Sequence, residues 1–244
     1  MLDKEEIKRY AHHLQLPEIG IEGQQKLKQA KVLVVGAGGL GCAVLQYLNA
    51  VGVGTIGVMD FDVVQLSNLQ RQVLYNESDI GNSKVNCALE KLKYQNSKTN
   101  LIPHNEKLTE FNSQEIFSNY DLIVDCTDNF ETRYIVNDAC LKNNQAFIYG
   151  AIYKFEGQIA VFNQLNDGNR SVNYRDLFPE NKEQQTFASC ADVGVVGVLP
   201  GIVGLLQANE VIKVITGVGD TLMNKLLLIN LLSMHFEIMH YNKK

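Results

Sequence analysis

A glycine-rich hexapeptide is the first feature of the sequence that points to chemistry. The run from Gly36 to Gly41 reads G-A-G-G-L-G, a G-x-G-x-x-G spacing with an additional glycine at Gly39. Glycines permit a tight turn and let phosphate approach the backbone, and a helix that begins there offers N–H groups and partial positive charge. Asp60 follows Gly36 by 24 residues, where a carboxylate can hold ribose hydroxyls. We therefore predict a nucleotide-binding loop that includes Gly38; a glycine turn without ligand is the alternative.

Three charged side chains favour a triphosphate over the dinucleotide that such a loop binds by default. Arg71 lies just beyond Asp60, in the S-N-L-Q-R-Q segment 67–72. Lys84 lies in the first turn of a predicted helix, where a cation opposes the helix dipole, so stability does not explain it. Asp128 follows a predicted buried strand, at the edge where open α/β sheets bind ligands. Arg71 and Lys84 would neutralise the phosphates of ATP, and Asp128 would hold magnesium.

Each of these charged residues also has a structural interpretation. Taken singly, Arg71 and Lys84 are compatible with solvated surface charges. Asp128 and Glu131 form D-x-x-E, the spacing of a helix capping box. A capping carboxylate can also bind a metal, so these two roles are not exclusive. The grouping of three charged residues around one phosphate loop favours the functional interpretation.

Alternating strands and helices must position these residues. The pattern in the first half is a series of strands and helices in this order: strand 32–35, helix 40–50, strand 55–59, helix 83–95, a strand near 101–102, a helix near 114–117, strand 122–124 and helix 130–142. Continuous apolar strands separated by helices indicate a parallel sheet covered on both faces. We expect an α/β fold, doubly wound and Rossmann-like.

The second half of the chain departs from this alternation. It predicts an antiparallel strand pair at 147–149 and 158–162, followed by a polar stretch at 163–189 that is too long for a plain connector. An apolar helix at 195–215 and two final strands at 226–229 and 235–239 complete the pattern. We expect these strands to extend the same sheet. The chain would then be one domain, 1–244, with N-terminal helices in 1–30 and a mobile polar loop at 163–189.

Composition and charge exclude several classes of protein. With 45% hydrophobic and 20% charged residues, the 244-residue chain is globular. A net charge of -5 argues against a nucleic-acid or anionic-membrane surface. The first residues lack the apolar stretch of a secretory signal, and the longest apolar run, from Val193 to Leu206, is too short to span a bilayer. Five cysteines without a C-x-x-C pair indicate a reduced, cytoplasmic protein without disulfides or structural zinc.

Taken together, these motifs resemble those of the ThiF/MoeB/HesA family, bacterial relatives of ubiquitin-activating enzymes. The resemblance runs from Arg9-Tyr10 to about Phe236, nearly the whole chain. It is carried by G-A-G-G-L-G at 36–41, D-F-D at 60–62, S-N-L-Q-R-Q at 67–72, I-G-x-x-K at 80–84, C-T-D-N at 126–129, E-G-Q at 156–158 and the block that starts at Cys190.

The resemblance implies an ATP- and magnesium-dependent adenylyltransferase that works as a homodimer. Its substrate would be the C-terminal glycine of a small ubiquitin-like sulfur carrier protein ending in Gly-Gly, from molybdenum-cofactor or thiamine biosynthesis. The implied contacts are the ribose for Asp60, the nucleotide for Asp62, Ser67, Asn68 and Asn129, the phosphates for Arg71 and Lys84, and magnesium for Asp128.

Cys190 matches a cysteine that bonds covalently to the carrier in thiamine-pathway relatives. It precedes a predicted helix start, and a helix N-terminus makes a thiol more reactive. The alternative is a small apolar core residue, the usual role of a free cysteine. The four other cysteines lie in helix or strand patterns, and we interpret them as packing residues.

Two departures from the family pattern affect these expectations. Relatives carry R-Y-x-R near the N-terminus, and the second arginine reaches the nucleotide of the neighbouring subunit; here His12 replaces it. Relatives also bind zinc through two cysteine pairs. Asn173 and Asp176 occupy the first pair's positions and the second pair is absent, so we expect no zinc.

Two other functions are compatible with the same glycine loop. An NAD-dependent oxidoreductase would need a positioned acid or base for hydride transfer, and the sequence offers no clear candidate. A degenerate, non-catalytic homologue that retains nucleotide or carrier binding would explain His12 and the missing zinc ligands.

The His12 departure leads to a first prediction. A histidine side chain is only partly charged at neutral pH and lacks the donor fork of arginine. His12→Arg should therefore raise the rate of adenylation, measured by ATP–pyrophosphate exchange at pH 7. An unchanged rate would rule out a catalytic role for position 12.

Overall fold

A computed structural model describes residues 1–166, 168–180 and 194–241. The strands are β1 Lys31–Val35, β2 Thr55–Met59, β3 Asn100–His104, β4 Leu122–Asp125, β5 Phe147–Tyr153, β6 Glu156–Phe162, β7 Leu165–Asn166, β8 Asn169–Arg170, β9 Lys225–Asn230 and β10 His235–His240. The α-helices are α1 Lys4–Arg9, α2 Ala11–Leu14, α3 Gly20–Gln29, α4 Gly39–Ala50, α5 Lys84–Gln95, α6 Glu110–Phe117, α7 Phe130–Lys142, α8 Tyr174–Leu177 and α9 Val198–Thr216. Two short 3₁₀ helices cover Leu66–Asn68 and Glu77–Asp79.

One eight-stranded sheet organises the molecule, in the order β10-β9-β6-β5-β4-β1-β2-β3. The five strands from β5 to β3 are parallel, and β6, β9 and β10 extend the sheet antiparallel. This mixed α/β sheet confirms the predicted doubly wound first half and its extension by the second. Val35 lies opposite both Met59 and Asp125, so β1, β2 and β4 end level with one another at one edge.

Both faces of the sheet are covered, as the continuous apolar strands predict. Alternate residues of β1 point to opposite faces: Val32 and Val34 pack in one core cluster, and Leu33 and Val35 in the other. Helices α3, α4, α5 and α9 supply the first cluster, and α6, α7 and α8 the second. All four of these β1 side chains are nearly inaccessible to solvent. The two covered faces leave the strand ends as the open edge of the sheet.

Helix α9 is the one helix of the described chain that is long and apolar enough to cross a membrane. It has 19 residues, longer than the unbroken apolar run of the sequence suggests, and 44% of its most apolar stretch is buried. It packs against α4 and against strands β5 and β6. These contacts make α9 the helix that covers the centre of one sheet face.

The structure describes the first part of the predicted polar loop 163–189, apart from residue 167, up to residue 180. Residues 163–180 contain the β7–β8 hairpin and α8, and Val172 and Tyr174 are buried. Tyr174 packs against Tyr149 and Phe178 with ring centroids 5.4 and 4.9 Å apart. Aromatic packing therefore anchors this part on the sheet, although its sequence is polar. Residues 181–189 lie outside the described part.

Gln207 of α9 links this helix to the edge of the sheet where the strands end. Its side chain is fully buried, and Nε2 donates to the carbonyl oxygen of Asp125 at 2.8 Å. The Cys126 thiol contacts Oε1 of the same glutamine at 3.8 Å. The polar side chain of Gln207, in an otherwise apolar helix, thus provides a hydrogen-bond donor for the backbone carbonyl at the end of β4.

Gln207→Leu should lower the free energy of unfolding by about 1–3 kcal/mol, because the buried Asp125 carbonyl loses its donor. Urea denaturation measures the change. Gln114→Leu is the matched control, since Gln114 is exposed on α6 and its loss should cost little. Equal stability of the two variants would contradict this role for Gln207.

Candidate active site

A cavity of about 360 Å³ opens at the carboxyl ends of β1, β2 and β4. The chain runs from β1 outward to β2 and β3, then returns to β4 on the other side of β1. Open α/β sheets bind ligands at such a switch point. The wall contains most of the predicted nucleotide-contacting residues: Gly36, Gly38, Gly39, Asp60, Asp62, Arg71, Lys84, Asp128 and Asn129.

The glycine loop forms the floor of this cavity because side chains would not fit there. Gly36 has φ +97°, and a Cβ on it would lie 2.7 Å from the Cys126 carbonyl oxygen. A Cβ on Gly41 would lie 1.9 Å from the Gly36 carbonyl oxygen, so Gly41 permits the turn although it does not line the wall. No side chain caps α4 at Gly38. The helix N-terminus is therefore available to an anion.

Asp60 connects the end of β2 to the glycine loop. One carboxylate oxygen accepts from the Ala37 N–H at 2.8 Å, and the other accepts from the Asp62 N–H at 2.8 Å. A carboxylate has about four lone-pair sites, so hydroxyl groups in the cavity can bind as well. Asp60 thus shapes the loop in addition to the ribose contact that the resemblance implies.

Lys84 is a buried residue of the cavity wall, which excludes its interpretation as a surface charge. The residue is 5% exposed, and Nζ lies 2.9 Å from an oxygen of Asp62. The Lys84 backbone N–H also donates to the Asp62 carbonyl oxygen at 3.0 Å. Because Ser83 caps α5, Lys84 occupies the first helical position. Asp62 therefore holds a cation at a helix N-terminus that would otherwise disfavour it.

Arg71 lines the cavity, and its guanidinium group is positioned by a hydrogen bond to a backbone carbonyl oxygen. Nη1 donates to the Ser67 carbonyl oxygen at 3.1 Å, and no carboxylate pairs with Arg71 among the described residues. Ser67 and Asn68 lie in a 3₁₀ helix outside the wall. The Asn68 side chain is engaged with the Gln65 N–H at 3.1 Å. In this structure these two residues position Arg71, whereas the resemblance implies direct nucleotide contacts.

Asp128 does not cap α7, so the capping-box alternative for this residue is wrong. The helix begins at Phe130, and Asn129 is the N-cap, with its side-chain oxygen accepting from the Thr132 N–H at 2.9 Å. Asp128 is exposed in the cavity and makes no hydrogen bond or ion pair within the described ranges. Its carboxylate is therefore available to a ligand.

Two predicted catalytic residues, His12 and Cys190, are not among the described residues of the cavity wall. His12 is exposed on α2 and does not belong to the described wall. Cys190 falls within 181–193, outside the residues that the structure describes. The cysteines Cys42, Cys87, Cys126 and Cys140 are buried and free, as expected for packing residues. Burial raises the pKa of Cys42 to about 12, which keeps this thiol protonated behind the glycine loop.

Asn173 and Asp176, which occupy the positions of the first zinc cysteine pair in the family pattern, form a hydrogen-bonded cap at the start of α8. Asp176 accepts from the Asn173 backbone N–H at 2.9 Å and from its Nδ2 at 2.7 Å. The Asn173 side-chain oxygen accepts from the Arg175 N–H at 2.9 Å. Both side chains are thus used to begin α8. The absence of zinc stays a prediction.

The sequence prediction missed two polar residues of the wall, Gln72 and Arg133. Gln72 is buried beside Gly38, and its Oε1 has no partner among the described atoms. Arg133 is 6% exposed. Gln72 could have been recognised from its place beside Arg71 in S-N-L-Q-R-Q. Arg133 resembles an ordinary polar residue of a helix, and only the structure reveals its burial.

The wall of the cavity carries charged side chains of both signs. Its cations are Arg71, Lys84, Lys107 and Arg133, and its acids are Asp60, Asp62, Glu106 and Asp128. Of these cations, Lys84 has a carboxylate at ion-pair distance among the described residues, and the other three have none. Burial opposes the charged form of Arg133, but interactions with Tyr149 and Asp125 outweigh it and raise its pKa. Cations of the wall that have no ion-pair partner are available to an anionic ligand.

The parallel sheet, the switch-point cavity and the glycine loop define a Rossmann-like domain. The chain belongs to the ThiF family, whose model matches residues 10–244. This finding confirms the resemblance found in the motifs.

Named relatives and a solved structure agree with the family assignment. The chain is 47% identical over 235 residues to "Sulfur carrier protein adenylyltransferase" of Thermus thermophilus, covering 96% of this chain and 87% of the relative. It is 45% identical over 242 residues to "Probable adenylyltransferase/sulfurtransferase MoeZ" of Mycobacterium tuberculosis, spanning 99% of this chain but 62% of MoeZ. Escherichia coli MccB shares the fold, with a TM-score of 0.83 at 23% identity, over 98% of this chain and 72% of MccB.

Lys84→Met should weaken ATP binding at least about tenfold, because a charge-assisted contact worth about 1.5–3 kcal/mol is lost. Isothermal titration calorimetry with ATP and magnesium measures the affinity. Lys91→Met is the matched control, since Lys91 lies on the same helix, pairs with Asp79 and does not line the cavity. Equal affinity of the two variants would show that Lys84 does not contact the nucleotide.

Proposed function

We propose that this chain is an ATP-dependent adenylyltransferase that activates the C-terminal glycine of a small ubiquitin-like sulfur carrier protein. The observation that carries the proposal is the convergence of three features on one cavity. These are an uncapped helix N-terminus behind the glycine loop, the cations Arg71 and Lys84, and the unpaired carboxylate of Asp128. Together they suit a nucleoside triphosphate with a metal ion.

The reaction needs alignment and charge neutralisation more than protein chemistry. An oxygen of the carrier's terminal carboxylate forms a bond to the α-phosphorus of ATP. The bond from that phosphorus to the bridging oxygen breaks, and pyrophosphate leaves with the electron pair. Because the attacking carboxylate is already ionised, no base is required. Arg71 and Lys84 stabilise the charge that develops on the phosphates.

Asp128 fits the magnesium ion that the family implies. Magnesium is usually bound by one or two carboxylates together with phosphate oxygens. The Asp128 carboxylate is exposed in the cavity and has no partner among the described residues, so it is free for this role. Bound magnesium would neutralise phosphate charge and orient the triphosphate.

The carrier is the part of the proposal that rests on relatives. The Thermus protein named "Sulfur carrier protein adenylyltransferase" is matched over 87% of its length, and a Porphyra purpurea relative is named "Probable molybdopterin-synthase adenylyltransferase". These names support a sulfur carrier as the substrate. Its Gly-Gly terminus and its origin in molybdenum-cofactor or thiamine biosynthesis follow from the family resemblance.

A symmetric homodimer would give His12 a function. The residue is exposed on α2 and does not belong to the described wall of its own cavity. In the dimer that the family implies, it would approach the nucleotide of the other subunit. Its replacement of an arginine would then reduce the rate without altering the cavity itself.

An NAD-dependent oxidoreductase is less well supported. Hydride transfer needs a positioned proton donor or acceptor, yet the described wall contains neither histidine nor tyrosine. A dinucleotide would also leave the unpaired carboxylate of Asp128 without a partner. A non-catalytic homologue would retain the cavity but not turn over.

ATP–pyrophosphate exchange in the presence of a carrier tests the proposal. The chain should catalyse exchange with a Gly-Gly-ending ubiquitin-like protein encoded in the same genome. Asp128→Asn should slow exchange about 100-fold or more, the effect of losing about 2.7 kcal/mol of transition-state stabilisation. Asp220→Asn, at an exposed site outside the cavity, serves as the control. Binding of NAD in preference to ATP, or no exchange with any such carrier, would refute the proposal.

A further inference from the structure

Arg133 brings to the cavity a buried cation that no motif assigned. It is the fourth residue of α7, is 6% exposed and lines the wall beside Thr127 and Asp128. No carboxylate lies at ion-pair distance from it in the described ranges. A buried cation without a direct ion pair is unusual, because burial of an unpaired charge is costly.

The guanidinium is held in place but keeps donors unused. Nη2 donates to the Thr127 carbonyl oxygen at 3.1 Å. The ring centroids of Phe130 and Tyr149 each lie 5.5 Å from the guanidinium carbon, which fixes the group by cation–π contact. Nε is buried without a partner among the described atoms, and Nη1 donates to none of them. Two of the three nitrogens can therefore serve a ligand.

The acidic residue whose charge influences Arg133, Asp125, forms no ion pair with it among the described residues. Asp125 is fully buried, and its Oδ1 accepts from the backbone N–H of Thr127 at 3.0 Å and from its hydroxyl at 2.6 Å. Its Oδ2 has no partner in the described part of the chain. Burial raises the pKa of Asp125, against the influence of Arg133. A buried donor without a partner costs about 1–3 kcal/mol, and a ligand that accepts from Nε of Arg133 would remove this cost.

The strand order places Arg133 at the opposite end of the cavity from Asp60. Helix α7 connects β4 to β5, and Arg133 packs on Tyr149 of β5, whereas Asp60 follows β2. β5 and β2 are three strand spacings apart, about 14 Å, with the glycine loop after β1 between them. A nucleotide bound with its ribose at Asp60 and its phosphates on the glycine loop would not occupy the end of the cavity at Arg133. Arg133 is therefore available to a different anion.

We propose that Arg133 binds the free C-terminal carboxylate of the protein substrate and thereby selects an acid terminus over an amide. This inference rests on the proposed function and concerns the substrate end of the same cavity. A charge-assisted hydrogen bond to one carboxylate oxygen leaves the other oxygen to attack phosphorus. Phe130, Tyr149 and Ile152 bring apolar surface to this end, which suits a narrow peptide tail.

A titration that does not depend on turnover tests this assignment. The Nε–Hε cross-peak of Arg133 in the ¹⁵N-labelled full chain is identified by its loss in Arg133→Lys. With α,β-methylene-ATP and magnesium present, N-acetylglycylglycine should shift this cross-peak and its C-terminal amide should not. No shift with the free acid, or an equal shift with the amide, would overturn the proposal. A shift caused by the nucleotide analogue alone would assign Arg133 to phosphate instead.

Kinetics with the carrier used for exchange give a second readout. Arg133→Met should raise the KM for the carrier at least tenfold and leave the KM for ATP within twofold. Arg170→Met is the matched control, because Arg170 is also partly buried and donates to a backbone carbonyl, but outside the cavity. Equal rises in both KM values would contradict the assignment. Lack of exchange by the wild-type chain would refute the proposed function, and the titration would still decide the role of Arg133.

Discussion

The close approach of two chain segments at the ends of β1 and β4 is the constraint on which the site depends. A Cβ atom on Gly36 would lie 2.7 Å from the Cys126 carbonyl oxygen. A Cβ atom on Gly41 would lie 1.9 Å from the Gly36 carbonyl oxygen. Bare backbone on both sides brings the N-terminus of α4 and the segment that carries Asp128 to one cavity. The same crowding means that a larger residue at Gly36 or Gly41 would distort the loop.

The sequence predicted this framework because its signals are local. Continuous apolar strands, helical spacing and turn glycines placed β2 and α7 with the observed bounds, and the positions of Asp60 and Lys84 at the strand and helix ends followed from them. Residues at the ends of parallel strands meet at one sheet edge whatever the details of packing. The glycine loop, Asp60, Lys84 and Asp128 could therefore be grouped before any coordinates were known.

The remaining features depend on contacts between distant segments, which spacing does not encode. D-x-x-E suggested a cap at Asp128, but the next residue, Asn129, caps α7 instead. Arg133 looks like an ordinary helix residue until Tyr149, 16 positions further along the chain, covers it. The polar segment after Asn163 contained too few apolar residues to predict that Tyr174 would be anchored on the sheet.

A crystal structure with α,β-methylene-ATP and magnesium tests the central claim most directly. The account predicts the triphosphate against the glycine loop, within hydrogen-bonding distance of Arg71 and Lys84, with the metal ion on Asp128 and the ribose on Asp60. A cavity that stays empty at saturating analogue, or that binds a nicotinamide dinucleotide instead, would contradict it.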